Sequence, residues 1–253
     1  MDAVKRLSKW VVALLLAFVA ILPRSDGYSS LAHHFSTGCT SGHEIALTFD
    51  DGPNPPYTQQ VLDILSAYDA RATFFVEGAA AEAHPELVRR EVELGIAIGS
   101  HSYSHAKDLA QMGSDDFHRD LKRTETTIGP MLCSRLALYR APYGKTSAVV
   151  LAELRRAGYV SIGWDIDSRD WDGSTTADQI VENVLSQAHP GGIILLHDGG
   201  AGEENPDRAA TVAALPRIIE GLREQGLELV TVPEIIELSD TEHETVATNC
   251  PTQ

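Results

Sequence analysis

Short apolar runs rich in β-branched and aromatic residues alternate along the chain with segments whose apolar residues repeat at helical spacing. This repeated order of run and helix is typical of parallel strands joined by crossover helices. Seven runs predict strands, at residues 45–50, 73–76, 96–101, 136–141, 159–165, 192–197 and 227–232. We therefore predict an α/β fold built on a parallel sheet.

Residues that begin and end helices support this division of the chain. Pro85 is expected to open one helix and Ser114 to cap another, while Gly158 and Gly226 are expected to close two more. The pattern continues without an internal linker or repeat. One domain is predicted at residues 42–238, followed by a polar tail at 239–253.

Polar residues stand where most of the predicted strands end. In parallel sheets and barrels, side chains at the carboxyl ends of the strands gather into one site. The residues are Asp50 and Asp51, His101, Arg140, the group Asp165, Asp167 and Asp170, and the pair His197 and Asp198. Unrelated turns would not be expected to place acids, histidines and an arginine with this regularity, so one functional site is predicted.

His101 and His105, in the sequence HSYSH, have the spacing that puts two imidazoles on one face of a helical turn. A metal site is one interpretation, and capping or surface histidines are the other. A catalytic metal would need a third ligand, which the Asp50-Asp51 pair can supply if the turn after the strand swings the second carboxylate around. The remaining carboxylate would be free to accept a proton, although a plain polar turn is the alternative for both aspartates.

Arg140 and His197 each allow two interpretations. Arg140 is either a surface cation or a clamp that keeps a catalytic carboxylate ionised and oriented. His197 follows four apolar residues and is either a buried structural histidine or a general acid. The stretch WDIDSRDW offers a carboxylate that could keep this histidine protonated, with Trp164 and Trp171 as apolar walls or sugar platforms.

The charge balance excludes some function classes. Acidic residues outnumber basic ones 36 to 20, which gives a formal net charge of −16. Without a basic stripe, nucleic acid is not an expected partner. The chain also lacks the Gly-x-Ser-x-Gly and Gly-x-Gly-x-x-Gly patterns, which argues against a serine hydrolase and a dinucleotide enzyme.

The first residues have the form of an export signal. Basic residues precede an apolar run at residues 10–22, which predicts that residues 1–27 are a cleaved signal peptide, with an uncleaved membrane anchor as the alternative. The protein is therefore expected to be secreted, in the extracellular space or cell envelope. Export permits disulfides, and Cys39 and Cys250 flank the domain, so we predict that they pair and that Cys133 stays reduced.

Five motifs occur in one order: TFDDGP, HSYSH, RAPYG, DSRDW and LLH. In this combination the chain resembles the polysaccharide deacetylases of carbohydrate esterase family 4, which share the NodB homology domain. The resemblance implies a distorted (β/α)7 barrel that holds a divalent metal, usually zinc and sometimes cobalt or nickel. Such a domain is expected to act as a monomer, in contact with a membrane only if the first segment is an uncleaved anchor.

The resemblance also implies roles for particular residues. The metal ligands would be Asp51, His101 and His105, with Asp50 as the base and His197 as the acid. The supporting residues would be Arg140 beside Asp50, Asp170 beside His197, the backbone amide of Tyr143 at the oxyanion, and Tyr143, Trp164, Trp171 and Leu195 against the substrate.

The implied activity is a metal-dependent hydrolysis that removes N-acetyl groups from N-acetylglucosamine residues of a glycan and releases acetate. Chitin-type substrates are favoured over peptidoglycan, and both over acetylxylan. An inactive carbohydrate-binding relative would be the interpretation if a motif residue were missing, and none is. A metallopeptidase is disfavoured, because Ser102, Tyr103 and Ser104 fill the interval where such enzymes carry a glutamate.

Overall fold

The structure is a computed structural model that describes residues 34–38, 40, 42–132, 134–200 and 206–245. Within these residues, eight parallel strands form one sheet that helices flank. The strands are β1 (Glu44–Asp50), β2 (Thr73–Val76), β3 (Ala97–Ser100), β4 (Leu138–Tyr139), β5 (Val160–Ser161), β6 (Ile166–Asp167), β7 (Ile193–His197) and β8 (Glu228–Val230). The parallel α/β fold predicted from the apolar pattern is confirmed.

Eight α-helices lie in the described part of the chain. They are α1 (Tyr57–Ala67), α2 (Gly78–Ala83), α3 (Pro85–Glu93), α4 (Ser114–Ile128), α5 (Ala148–Arg156), α6 (Ala177–Gln187), α7 (Ala209–Glu224) and α8 (Val232–Thr245). A search of the described residues finds among these helices no candidate for a membrane span.

Strand β1 lies inside the sheet and is buried along almost its whole length. Its first residues pair with β8, its last residues pair with β2, and β7 runs along its other edge. The full order is β5-β4-β3-β2-β1-β7-β6. A parallel strand covered on both faces carries a continuous apolar run, which is why the sequence alone locates β1 and β7 well.

The sheet curls into a barrel that is left open between β5 and β6, since these strands do not pair in the described structure. The predicted single strand at 159–165 is therefore wrong in its extent, because it contains only β5 and is followed by the separate strand β6. Gly163 explains the interruption. Its N–H donates to the carbonyl of Phe35 at 2.8 Å, and its own carbonyl accepts from Arg140 at 2.8 Å. Both backbone groups are thus taken away from the ladder.

The core lies between the strands and the helices that cover them. Helix α1 shows how the pattern builds it, because its buried residues repeat at the spacing of one helical face. They are Thr58, Val61, Leu62 and Leu65. These apolar side chains join those of β1, β2, β7, α6 and α7 in one cluster.

Three of the predicted helix signals are confirmed and one is wrong. Pro85 is the first residue of α3, and Gly158 and Gly226 follow α5 and α7 with φ of 74° and 78°. Glycine adopts this left-handed conformation without the clash that a Cβ atom brings. Ser114 is not a cap, because it is already the first helical residue, and its hydroxyl donates to Glu153 at 2.7 Å.

The structured region extends beyond the predicted domain limits on both sides. Phe35 bridges to Ile162 before residue 42, and α8 continues through residue 238. The signal segment at 1–27 and the end of the tail lie outside the described residues, and so do Cys39, Cys133 and Cys250. The export and disulfide predictions therefore remain predictions.

Candidate active site

The carboxyl ends of the central strands lie at one level of the sheet. Asp50, the last residue of β1, is in register with His197, the last residue of β7. Ser100 of β3 is in register with Tyr139 of β4. The residues that follow these strands, Asp51, His101 and Arg140, consequently emerge on the same side. The polar strand ends predicted from sequence are brought together as expected.

Arg140 is completely buried, with 0% of its surface exposed. Its Nη1 atom lies 2.8 Å from Oδ1 of Asp50 and donates to the hydroxyl of Thr48 at 2.7 Å. The guanidinium also lies over the ring of Phe75, 4.1 Å from the ring centroid. A buried cation needs such partners to offset its desolvation. The interpretation of Arg140 as a surface cation is wrong, and the geometry is that of a clamp on Asp50.

Asp51 differs from Asp50 in its backbone conformation. Its φ of 74° lies in the left-handed region, so the turn begins at Asp51 itself, before the expected turn at Gly52 and Pro53. In a regular strand the two neighbouring side chains would point to opposite faces. Here both carboxylates approach His101, with Asp51 Oδ1 at 3.1 Å and Asp50 Oδ2 at 3.9 Å from its Nε2 atom.

Asp51, His101 and His105 form a buried group whose potential ligand atoms lie within 4.8 Å of one another. The Nε2 atoms of both imidazoles are 3.1 Å from Oδ1 of Asp51. Neither contact has hydrogen-bond geometry, since this buried oxygen has no hydrogen-bond partner in the described structure. Two imidazoles and one carboxylate that converge in this way fit a divalent cation, with coordination positions left open.

Electrostatics at Asp51 favour the ionised form that a metal ligand needs. Burial opposes ionisation, but His101 and His105 beside it outweigh burial and hold the pKa of Asp51 well below its ordinary value. The His101 ring is oriented by a contact of 2.9 Å between its Nδ1 atom and the carbonyl of Arg140.

The segment that carries the two histidines is a loop, so the prediction of a helical turn at HSYSH is wrong. Ser102 and His105 have φ of 67° and 46°, which a helix does not allow. The Ser102 hydroxyl accepts from the His105 N–H at 2.9 Å and closes the loop. The two imidazole centroids lie 5.0 Å apart. The spacing of four residues was compatible with both conformations.

His197 is held by Asp170, whose Oδ1 atom lies 2.7 Å from Nδ1 of the imidazole. The second carboxylate oxygen of Asp170 accepts from the His197 N–H at 2.8 Å and from the Thr211 hydroxyl at 2.9 Å. Burial lowers the pKa of His197, but Asp170 more than offsets burial and the pKa rises to about 9. His197 is therefore protonated at neutral pH, as a general acid must be before it acts.

A cavity of about 700 Å³ connects these groups. The Trp171 side chain is half exposed there, and its Nε1 donates to Asp167 at 3.2 Å. The predicted site residues that line the cavity are Asp50, Asp51, His101, His105, Tyr143, Trp164, Trp171, Leu195 and His197. Arg140 and Asp170 do not line it and act through Asp50 and His197.

Tyr143 adopts a left-handed conformation with φ of 58°, in the short turn Pro142–Gly144 that follows β4. Its ring packs edge-on against His105, with centroids 4.8 Å apart. The side chain therefore forms part of the wall beside the predicted metal ligands. The role of its backbone amide at an oxyanion remains a prediction.

Two further residues at the site were not assigned roles from the sequence. The Asp198 carboxylate is buried, accepts from the Thr58 hydroxyl at 2.5 Å, and has a pKa raised to about 7, chiefly by burial. Arg208 lines the cavity and donates to the carbonyls of Gly199 at 2.6 Å and Asp170 at 3.1 Å. A single arginine between a strand and a helix carries no motif, so nothing in the sequence distinguishes it.

Comparisons with known proteins agree with this geometry. The family model described as "Polysaccharide deacetylase" matches residues 37–162. A chitooligosaccharide deacetylase of Sinorhizobium fredii is 41% identical over 202 residues, or 77% of this chain and 93% of the relative. A solved peptidoglycan N-acetylglucosamine deacetylase has a TM-score of 0.76 and 32% identity, over 82% of this chain and 94% of that one. A family 4 acetyl xylan esterase from Clostridium thermocellum, solved with a cobalt ion, has a TM-score of 0.69 and 35% identity, over 77% and 90%.

Proposed function

Because the chain belongs to the polysaccharide deacetylase family, we propose that it is a metal-dependent hydrolase that removes N-acetyl groups from N-acetylglucosamine residues of a glycan. The observation that carries the proposal is the convergence of Asp51, His101 and His105 to within 4.8 Å, beside a clamped aspartate and a protonated histidine. This arrangement supplies a metal site, a base and an acid in one cavity.

The metal ligands in this proposal are Asp51, His101 and His105. Zinc is the cation that we propose, because two imidazoles with one carboxylate are a common zinc ligand set, while cobalt and nickel accept the same donors. A bound divalent cation would act as a Lewis acid toward the acetyl carbonyl and make a water molecule more acidic.

Asp50 is the proposed base. Its Oδ1 atom is occupied by Arg140 at 2.8 Å, while its Oδ2 atom points toward His101, on the side of the predicted metal ligands. The free oxygen can therefore accept the proton of the attacking water as the carbon–oxygen bond forms. The Arg140 clamp keeps the carboxylate ionised and fixes which oxygen faces the substrate.

His197 is the proposed acid. The cleaved bond joins the acetyl carbon to the sugar nitrogen, and an amine leaves readily only when it is protonated. His197 carries the proton, and Asp170 holds the ring by its Nδ1 atom, which leaves Nε2 to face the nitrogen. Transfer of this proton releases a free amine on the sugar and acetate. The backbone N–H of Tyr143 is the proposed donor to the oxyanion.

The proposed substrate is a chitin-type oligomer, with peptidoglycan second and acetylxylan third. The cavity wall supports a sugar, because Trp164, Trp171 and Tyr143 offer ring faces and edges for its apolar surface. The net charge of −16 suits a neutral glycan whose product is cationic. We also propose that the protein is secreted, on the basis of the apolar segment near its beginning.

The experiment that tests the proposal measures acetate release from chitin oligomers, peptidoglycan and acetylxylan in parallel, with added zinc or cobalt. Release from chitin oligomers that a chelator abolishes and zinc restores is the expected result. Faster release from peptidoglycan or acetylxylan would reassign the substrate, and no release from any glycan at full metal occupancy would favour a binding protein.

A further inference from the structure

The loop Ser102–Tyr103–Ser104 between the two predicted ligand histidines is held from outside by two helices. The Asp120 carboxylate on α4 accepts from the Tyr103 N–H at 2.8 Å and from the Ser104 hydroxyl at 2.7 Å. One side chain thus uses one oxygen for the backbone of the loop and the other for a neighbouring side chain. No sequence motif includes this residue.

The opposite side of the loop is fixed by α2. The N–H groups of Gly78 and Ala79 donate to the carbonyls of Ser102 at 2.9 Å and Tyr103 at 3.0 Å. A Cβ atom at Gly78 would lie 2.6 Å from the Tyr103 ring, so this close approach requires glycine. The loop is therefore gripped between α2 and α4.

Arg123, which lies on α4 one turn after Asp120, adds a second contact from the same helix. Its guanidinium lies 3.6 Å from the centroid of the Tyr103 ring, and the Tyr103 hydroxyl donates to Glu82 on α2. Cation–π contacts of this kind stabilise a ring in one orientation. Tyr103 itself is buried, so the middle of the loop is pinned while Ser104 remains exposed.

The loop needs this support because two of its residues are in unfavourable conformations. Ser102 and His105 both have positive φ, which residues with a Cβ atom adopt only when their surroundings impose it. Without external contacts the segment would relax toward ordinary backbone angles and carry the His105 ring away from Asp51.

His105 depends on the loop more than His101 does. The Nδ1 atom of His101 is oriented by the carbonyl of Arg140, whereas Nδ1 of His105 has no hydrogen-bond partner in the described part of the chain. Ligand histidines usually owe their orientation to a bond at this second nitrogen. For His105 that function falls to the placement of its backbone and to the edge contact with Tyr143.

We propose that Asp120 is a positioning residue of the metal site, which holds the loop so that Nε2 of His105 faces Asp51. The proposal rests on the metal ligands of the proposed function, and it adds a residue that contacts neither metal nor substrate. Loss of a group that orients a metal ligand typically weakens metal binding by about 10- to 100-fold.

The test is the zinc affinity of the full chain, measured by competition with a chromophoric chelator. Asp120→Ala is expected to weaken zinc binding by about 10-fold or more. Asp120→Asn keeps a carbonyl oxygen for the Tyr103 N–H and is expected to lose roughly threefold or less. The matched control is Asp116→Ala on the same helix, which removes the same charge but only an exposed ion pair with Arg119, and should stay within about twofold.

Each outcome decides between specific alternatives. A wild-type chain that binds no zinc would contradict the proposed function itself. Zinc affinity of Asp120→Ala within twofold of wild type, or an equal loss in Asp116→Ala, would overturn only the role of Asp120. If circular dichroism shows that Asp120→Ala does not fold, Asp120→Asn and Ser104→Ala replace it. Wild-type affinity in both of those variants would equally overturn the proposal.

Discussion

Asp50 and Asp51 are identical in chemistry, and their backbone conformations give them different tasks. Asp50 ends a strand and faces Arg140, while Asp51 is left-handed and faces the two imidazoles. A non-glycine residue in this region costs of order 1–3 kcal/mol, which the surrounding structure must supply. The strain is explained if it brings the second carboxylate to the metal.

Changing each aspartate to asparagine should therefore produce two distinct defects. Asp51→Asn is expected to weaken zinc binding by about 10-fold or more, with activity partly restored by excess metal. Asp50→Asn should keep its zinc yet remain inactive at any metal concentration, because an amide cannot accept the proton of water. Metal analysis and acetate release on both variants make the measurement. Loss of zinc from Asp50→Asn and retention in Asp51→Asn would show that the roles are reversed.

His197→Ala should leave the metal content unchanged and reduce turnover on N-acetyl substrates by about 10²- to 10⁴-fold. The loss on an activated aryl acetate should be much smaller, since a phenoxide departs without protonation. Parallel rates on a chitin oligomer and an aryl ester measure the difference. Equal losses on both substrates would argue against His197 as the acid.

At the scale of elements, the sequence predicts best those segments whose neighbours are irrelevant to their pattern. Strands β1, β2 and β7 are covered on both faces, and any such strand is a continuous apolar run. The break between β5 and β6 was not predictable, because it depends on Arg140 and Phe35, which reach Gly163 from distant parts of the chain. The site was predicted residue by residue from its motifs, but the loop conformation of HSYSH depends on α2 and α4.

Helix α3 carries a buried carboxylate that the proposed chemistry does not use. Glu91 is 0% exposed, and neither of its oxygens has a hydrogen-bond partner in the described structure. Burial, reinforced by Asp198, raises the pKa of Glu91 well above its ordinary value. A carboxyl whose pKa is higher in the folded state contributes stability that is complete below the unfolded-state pKa and is lost as pH rises through the folded-state pKa.

Glu91→Gln should therefore leave the free energy of unfolding near that of wild type at pH 5 and raise it at pH 8 by about 1 kcal/mol or more. Urea unfolding at the two pH values checks this difference. The control is Glu93→Gln, an exposed position in the same helix, for which no pH-dependent gain is expected. A gain of the same size at pH 5 and pH 8 would mean that Glu91 is paired in solution.

At the scale of the whole molecule, Cys39 and Cys250 are predicted to form a disulfide that ties the two ends of the domain. In the chain-entropy model, a loop of this length stabilises the fold by roughly 4–5 kcal/mol, less any strain. Peptide mapping under non-reducing conditions should recover the linked pair with Cys133 free, and reduction should lower the Tm. Three alkylated cysteines in the oxidised, secreted protein would refute the pairing.

The predicted metal ligands belong to two strand ends, after β1 and after β3, and β2 lies between these strands in the sheet. An unfolded chain holds no such site, because Asp51 and His105 meet only when the three strands are paired. Metal uptake is consequently a late event that requires a folded domain. We expect the cation in the finished protein to be chosen by the metals available in the compartment where the chain folds, and a chain that is exported unfolded would take its cation outside the cell.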